Sequence, residues 1–226
     1  MRRYFCIAIL VLCGACTPTG QLDVVGIRAK ADAGDPGAAM TLGVMYDNGW
    51  AIAKDRAEAF RWYKVAAEKG LAEAQNSLGS MYQAGEGTPR DDAAALHWYS
   101  LAADQGLAEA LNNLAYMYDL GLGVREDNPR AKGLYEKAAD KGSTKAMLNL
   151  GIMLGRGESG VERDVVRSHV WLDLARFHTQ SSPDMQLKWR ARGALEELEK
   201  QMTASQIAEA KRLSEEWDSA HIRKRQ

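Results

Sequence analysis

A glycine-anchored pattern recurs every thirty-six residues along most of this chain. Gly34, Gly70, Gly106 and Gly142 are each thirty-six apart. The same step links Leu42, Leu78, Leu114 and Leu150, then Met45, Met81, Met117 and Met153, then Gly49, Gly85, Gly121 and Gly157. A fixed period of this length marks a stacked-repeat architecture. Units this small cannot bury their apolar faces alone, so they pile on one another in chain order. The pattern points to a binding scaffold rather than an enzyme. It does not name what is bound.

One period reads as two helices. Ala74, Leu78, Met81 and Tyr82 fall at i, i+4, i+7 and i+8, one face of a helix that Gly85 ends. Residues 86–90 form a loop, and Asp91 is placed to cap the next helix. Ala95, Trp98, Tyr99, Ala102 and Ala103 make the second stripe, closed by Gly106. Paired alanines such as Ala66-Ala67 and Ala138-Ala139 let helix axes approach closely. The rings of Trp62, Tyr63, Trp98, Tyr99 and Tyr135 are expected to fill the wedge between neighbouring pairs. Gly43, Gly79 and Gly151 sit inside first helices, where glycine costs about 1 kcal/mol relative to alanine. A close helix contact is the expected compensation, and Ala115 in the equivalent place supports a size limit there.

Composition narrows the functional classes. Formal net charge is −1, too balanced for a nucleic-acid binder with a basic face. All three cysteines, Cys6, Cys13 and Cys16, lie in the first sixteen residues, so the remainder has neither a disulfide framework nor a thiol nucleophile. That first segment has a targeting pattern. Arg2 and Arg3 precede an apolar stretch from Tyr4 to Leu12, too short to span a bilayer as a helix, and Gly14-Ala15 precede Cys16. It resembles the bacterial lipoprotein signal, although Cys13 stands where that signal prefers leucine. The resemblance implies a signal peptide at 1–15 and a lipid on Cys16. With Thr17 rather than aspartate next, it also implies outer-membrane sorting facing the periplasm. Ordinary secretory cleavage and an uncleaved anchor are the alternatives.

The repeat itself resembles the Sel-1-like repeats, relatives of the tetratricopeptide repeat. Ala110-Leu111-Asn112-Asn113-Leu114-Ala115-Tyr116-Met117-Tyr118 carries the resemblance, followed by Gly121-Leu122-Gly123-Val124-Arg125-Glu126-Asp127 and by Ala131, Leu134, Tyr135, Ala138, Ala139 and Gly142. It covers about residues 34 to 180. It implies an all-α, right-handed α/α solenoid of helix pairs with capping helices. The expected organisation is an anchor and N-terminal capping helix at 16–33, repeats at 34–69, 70–105, 106–141 and 142–180, and C-terminal capping helices with a basic tail at 181–226. Departures are Ala51 in place of the second loop glycine, Leu154 in place of tyrosine, and Asp164 one residue late. Ser182-Pro183 should break the chain, and Thr203 with Gln206 reads as a capping box.

Catalytic and metal motifs are not evident. His97, His169, His178 and His221 share no i, i+4 spacing and no cysteine partner, so no metal is expected. His97 and His169 read as the solvated flank of the second helix. Gly85-x-Gly87 and Gly121-x-Gly123 follow helices rather than strands and read as turns, not phosphate loops. Glu196 and Glu197 read as a solvated face. No cofactor and no enzyme activity are expected. Tetratricopeptide-like solenoids line their concave side with the first helix of each pair. The resemblance therefore implies open rows at Met40, Asn76, Asn112 and Leu148, at Val44, Ser80, Tyr116 and Ile152, and at Asp47, Gln83 and Asp119. Amides there suit an extended peptide backbone, and Tyr116 suits an aromatic anchor. The expected function is a non-enzymatic envelope adaptor for a protein or peptide. A cell-wall-associated structural role and a hydrolase of β-lactam or cell-wall substrates are the alternatives.

Overall fold

The computed structural model describes residues 23–157, 159–180 and 182–222. The expectations for the signal segment, Cys16 and Arg223-Lys224-Arg225 fall outside these residues. Every regular element among the described residues is an α-helix. The chain divides into two compact units, Met1–Gln105 and Gly106–Gln226. The first holds α1 (Val24–Asp32), α2 (Pro36–Asn48), α3 (Arg56–Glu68), α4 (Ala72–Ala84) and α5 (Asp92–Asp104). The second holds α6 (Ala108–Leu120), α7 (Asn128–Asp140), α8 (Thr144–Arg156), α9 (Val165–His178), α10 (Met185–Glu199) and α11 (Ala204–Ile222).

Local chemistry fixes the helix ends. The second helix of each pair starts at an aspartate whose carboxylate accepts from backbone amides: Asp55 from Ala57 and Glu58, Asp91 from Ala94, Asp127 from Arg130 and Asp164 from Arg167. Such a cap is worth about 1 kcal/mol. The same four residues also donate their own amides to Tyr46, Tyr82, Tyr118 and Leu154 carbonyls at 2.9 Å, which closes each loop onto the helix before it. Between pairs the anchor glycines turn the chain: Gly34, Gly70, Gly106 and Gly142 have φ of 90°, 89°, 82° and 88°, a left-handed region costly for residues with a Cβ. In the first loop Ala51 takes φ 61° where the next two loops use Gly87 and Gly123. At Gly87 a Cβ would stand 2.2 Å from the Arg56 carbonyl oxygen, whereas Ala51 is exposed.

Packing follows chain order within each unit. In the first, α1 packs on α2, α2 on α3, α3 on α4 and α4 on α5. The core is built from Ile27, Leu42, Met45, Trp62, Tyr63, Leu78 and Met81 with small residues such as Ala66 and Ala67 between them. A Cβ at Gly43 would stand 2.4 Å from the Tyr63 ring, and one at Gly79 would stand 2.8 Å from Tyr99. These tyrosine rings therefore pack against the first helix of their own pair. The helical glycine opens the space for this contact inside the pair. Trp98 is only half-buried.

In the second unit α7 joins α6 to α8, and α9 packs on α8, α10 and α11. A Cβ at Gly151 would meet Leu172 at 2.7 Å, the same close approach with leucine replacing the ring. Asp184 caps α10 through the Leu187 amide. Thr203 and Gln206 cap α11 reciprocally, with Gln206 Oε1 accepting from the Thr203 amide at 2.9 Å and Thr203 Oγ1 from the Gln206 amide at 3.3 Å. His169 is a correction: it is fully buried, not solvated, and its Nε2 lies 2.9 Å from Glu199 Oε1 on α10. The loop before Asp164 is one residue longer, so His169 takes the place of Phe60 and Leu96 rather than that of His97.

Candidate partner-binding surface

The first unit places its share of the expected rows unevenly. Met40 and Val44 are half-buried and pack against the core. They are apolar, and the adjoining helix takes them up. Asp47 is ion-paired with Arg56, which also reaches Glu86 Oε2 at 3.1 Å. Asn76 is half-buried and Ser80 is exposed. Ser80 lies beside the Tyr99 hydroxyl and moderates its pKa, while burial pushes that pKa up to about 12. Gln83 Oε1 accepts from the same hydroxyl at 3.0 Å.

The second unit gathers its share at a cleft. Asn112 is 6% exposed, Leu148 is fully buried and Ile152 is half-buried, so these three positions are not open. On this side α10, which lies outside the repeat pattern, forms the opposite wall. Asn112 and Leu148 line a cleft of about 530 Å³ with Tyr116, Lys145 and Asn149 on the repeat side and Asp184, Gln186, Leu187 and Arg190 on the other. Asn149 Nδ2 donates to Asn112 Oδ1 at 3.1 Å, and Asn112 Nδ2 donates to Asn113 Oδ1 at 3.3 Å, so the amides form a short ladder. Tyr116 is 41% exposed at its edge. Asp119 accepts from the Tyr135 hydroxyl at 3.2 Å. Burial, the Asp119 carboxylate and its hydrogen bond all raise the Tyr135 pKa.

Sequence reasoning missed Lys145, Asn149 and Arg190. Asn149 had a signal, since it is thirty-six residues after Asn113 and beside the Asn76–Asn112 row. Arg190 had none, because no repeat places α10. The cleft can offer amide donors and acceptors, one phenol, two cations and the Asp184 carboxylate, which also caps α10, to a ligand. It lacks a nucleophile with an adjacent base, and no cluster of three His, Cys, Asp or Glu able to hold a metal occurs among the described residues.

Helix pairs that recur in chain order, the second helix of each capped by an aspartate and packed on the first, define a helical-repeat scaffold. The chain belongs to the Sel1 repeat family, whose repeat matches residues 36–71, 72–107, 108–143 and 144–176. Its fold class is the α/α solenoid of Sel1 helix pairs with capping helices. Sel1 repeat proteins are in general protein-interaction scaffolds and typically non-catalytic. Among solved structures, the chain is similar to c5321, a protective antigen present in uropathogenic Escherichia coli strains displaying an SLR fold. The TM-score is 0.65 at 32% identity, over 80% of this chain and 41% of that one. It is also similar to a Sel1 repeat protein from Oxalobacter formigenes, with a TM-score of 0.64 at 26% identity over 84% of this chain and 59% of that one. The chain thus spans less than two thirds of either. No curated protein matches it.

Proposed function

We infer that this chain is a non-enzymatic adaptor of a bacterial cell envelope, held at the outer membrane by a lipid on Cys16 and facing the periplasm. It captures a peptide or protein segment on the side formed by the first helix of each pair. The observation that carries this reading is the α6–α8–α10 cleft, where the Asn112–Asn149 ladder lies beside Tyr116, Lys145 and Arg190. An extended main chain presents amides at intervals that such side-chain amides can pair. A half-exposed tyrosine supplies apolar contact at low entropic cost. The two cations outnumber the one carboxylate, Asp184, which already accepts from the Leu187 amide, so a segment with an acidic side chain or terminus is favoured.

The test is capture of partners from envelope extracts by the full chain and by Asn149→Ala, Tyr116→Ala and Arg190→Ala. Loss of the same captured proteins in these variants, with unchanged folding, supports the placement. Unchanged capture rejects it. Incorporation of labelled palmitate, abolished by Cys16→Ser, tests the anchor separately.

A further inference from the structure

The helix α10 has two apolar edges. Ala191, Leu195 and Leu198 are buried against the rest of its unit. Met185 and Trp189, one turn apart, face outward at 57% and 66% exposure. Burying either would remove far more apolar surface from water than any other exposed position on this helix.

Cations stand on both flanks of this edge. Lys188 and Arg192 line a shallow cleft of about 260 Å³ with Met185, Trp189 and Arg176 of α9. Arg190 lies on the other flank, in the Asn112 cleft. Between Asp184 and Glu196 the helix carries these three basic residues and no acidic one. Arg176 is bonded to Asp173 at 2.6 Å and Arg192 to Glu196 at 2.7 Å, but both arginines are exposed. Such surface pairs are weak and exchange readily for another anion.

We propose that the outward edge of α10 docks on an anionic membrane surface. Met185 and Trp189 enter the boundary between headgroups and acyl chains, and Lys188 and Arg192 face lipid phosphates. A tryptophan flanked by Lys and Arg suits that boundary, where one end of the ring is apolar and the other wet. A stable protein partner covers roughly 800 Å² per side, much more than two side chains on one edge provide. A bilayer needs only the edge and the charges. The contact is peripheral, since no helix among the described residues is long and apolar enough to cross a membrane. It does not depend on the Asn112 cleft or on a lipid at Cys16.

The test uses the full chain with Cys16→Ser in every arm, so that residues before the described part contribute equally. Co-sedimentation is measured with phosphatidylglycerol–phosphatidylethanolamine vesicles and with phosphatidylcholine vesicles. The expected result is salt-sensitive binding to the first and not the second. Lys188→Glu with Arg192→Glu should lower the partition coefficient by at least about tenfold. Brominated acyl chains should quench a share of fluorescence that is absent in Trp189→Phe. Equal partitioning of the parent and the charge-reversed chain overturns the proposal, as does quenching that survives Trp189→Phe unchanged. A dimer in vesicle-free solution that Trp189→Ala abolishes also overturns it, by assigning the edge to a second copy. Matching circular dichroism spectra confirm that these exposed changes leave the fold intact.

Discussion

Tyr99 donates its hydroxyl to Gln83 Oε1 across 3.0 Å, joining the second helix of a pair to the first. Tyr135 and Asp119 repeat the bond at 3.2 Å, and in both cases donor follows acceptor by sixteen residues. In the last pair the corresponding residues are Leu172 and Gly155, so ring and acceptor are absent together. Asp47 stands in the equivalent place of the first pair, where Arg56 holds it. Two positions expected to meet a partner, Gln83 and Asp119, thus serve buried phenols inside the fold.

Those phenols set an alkaline limit. Burial raises Tyr63 and Tyr99 from 10.0 to about 12, and Tyr135 is raised as well. Because the folded pKa lies above the unfolded value, this stability is complete below pH 10 and is lost as pH rises from 10 toward 12. Melting temperature should fall steeply across that window. Tyr99→Phe should cost about 1 kcal/mol at neutral pH for the lost bond. It should also flatten the alkaline slope by up to about 1.4 kcal/mol per pH unit. Thermal melts of both chains across the window check this, and parallel slopes would contradict it.

The helical glycines differ in how much room they leave. Gly43→Ala gains about 1 kcal/mol of helix propensity but overpacks against the Tyr63 ring, at a cost of about 1–3 kcal/mol. The 2.4 Å approach there is tighter than the 2.8 Å at Gly79. Chemical denaturation should therefore rank Gly43→Ala as the more destabilising change, with Gly79→Ala closer to neutral. A reversed order would contradict this account of the packing.

Ala51 is an alanine in a left-handed conformation, φ 61°. Its methyl is exposed, so removing it forfeits little packing. Ala51→Gly should stabilise the first unit by about 1 kcal/mol. A denaturation midpoint equal to or below that of the parent would show that the turn is unstrained.

His169 and Glu199 link the last repeat to the capping helix. Glu199→Ala would leave a fully buried imidazole nitrogen without its partner, at a cost of about 1–3 kcal/mol. Glu199→Gln keeps a polar group of similar size in reach and should cost less. Hydrogen exchange should show α9 and α10 losing protection together in the alanine variant.

Much of this fold is legible in the sequence because the period repeats its own punctuation. Asp91 and Asp164 are recognisable as caps, and Thr203 with Gln206 as a capping box, because short side chains there can reach only nearby amides. Burial at Gly43 and Gly79 is legible for the same reason: a residue costly in a helix needs a close neighbour. The site is less so. Helical spacing marks Tyr116 as outward but cannot tell that α10 covers Leu148, since nothing periodic fixes where α10 lies. The plain period misplaces His169 because one residue added to the loop before Asp164 shifts the count by one position, about 100° around the helix. The phenol-to-acceptor bonds span sixteen residues, a distance that no single-helix pattern reads.

The buried His169 has a consequence for where this protein can be cut. Cleavage after residue 180 would strip away the helix carrying Glu199 and open the Leu148 floor to water. What remained would be a damaged protein rather than a shorter array. The final hairpin and its cover must therefore be made, and lost, together.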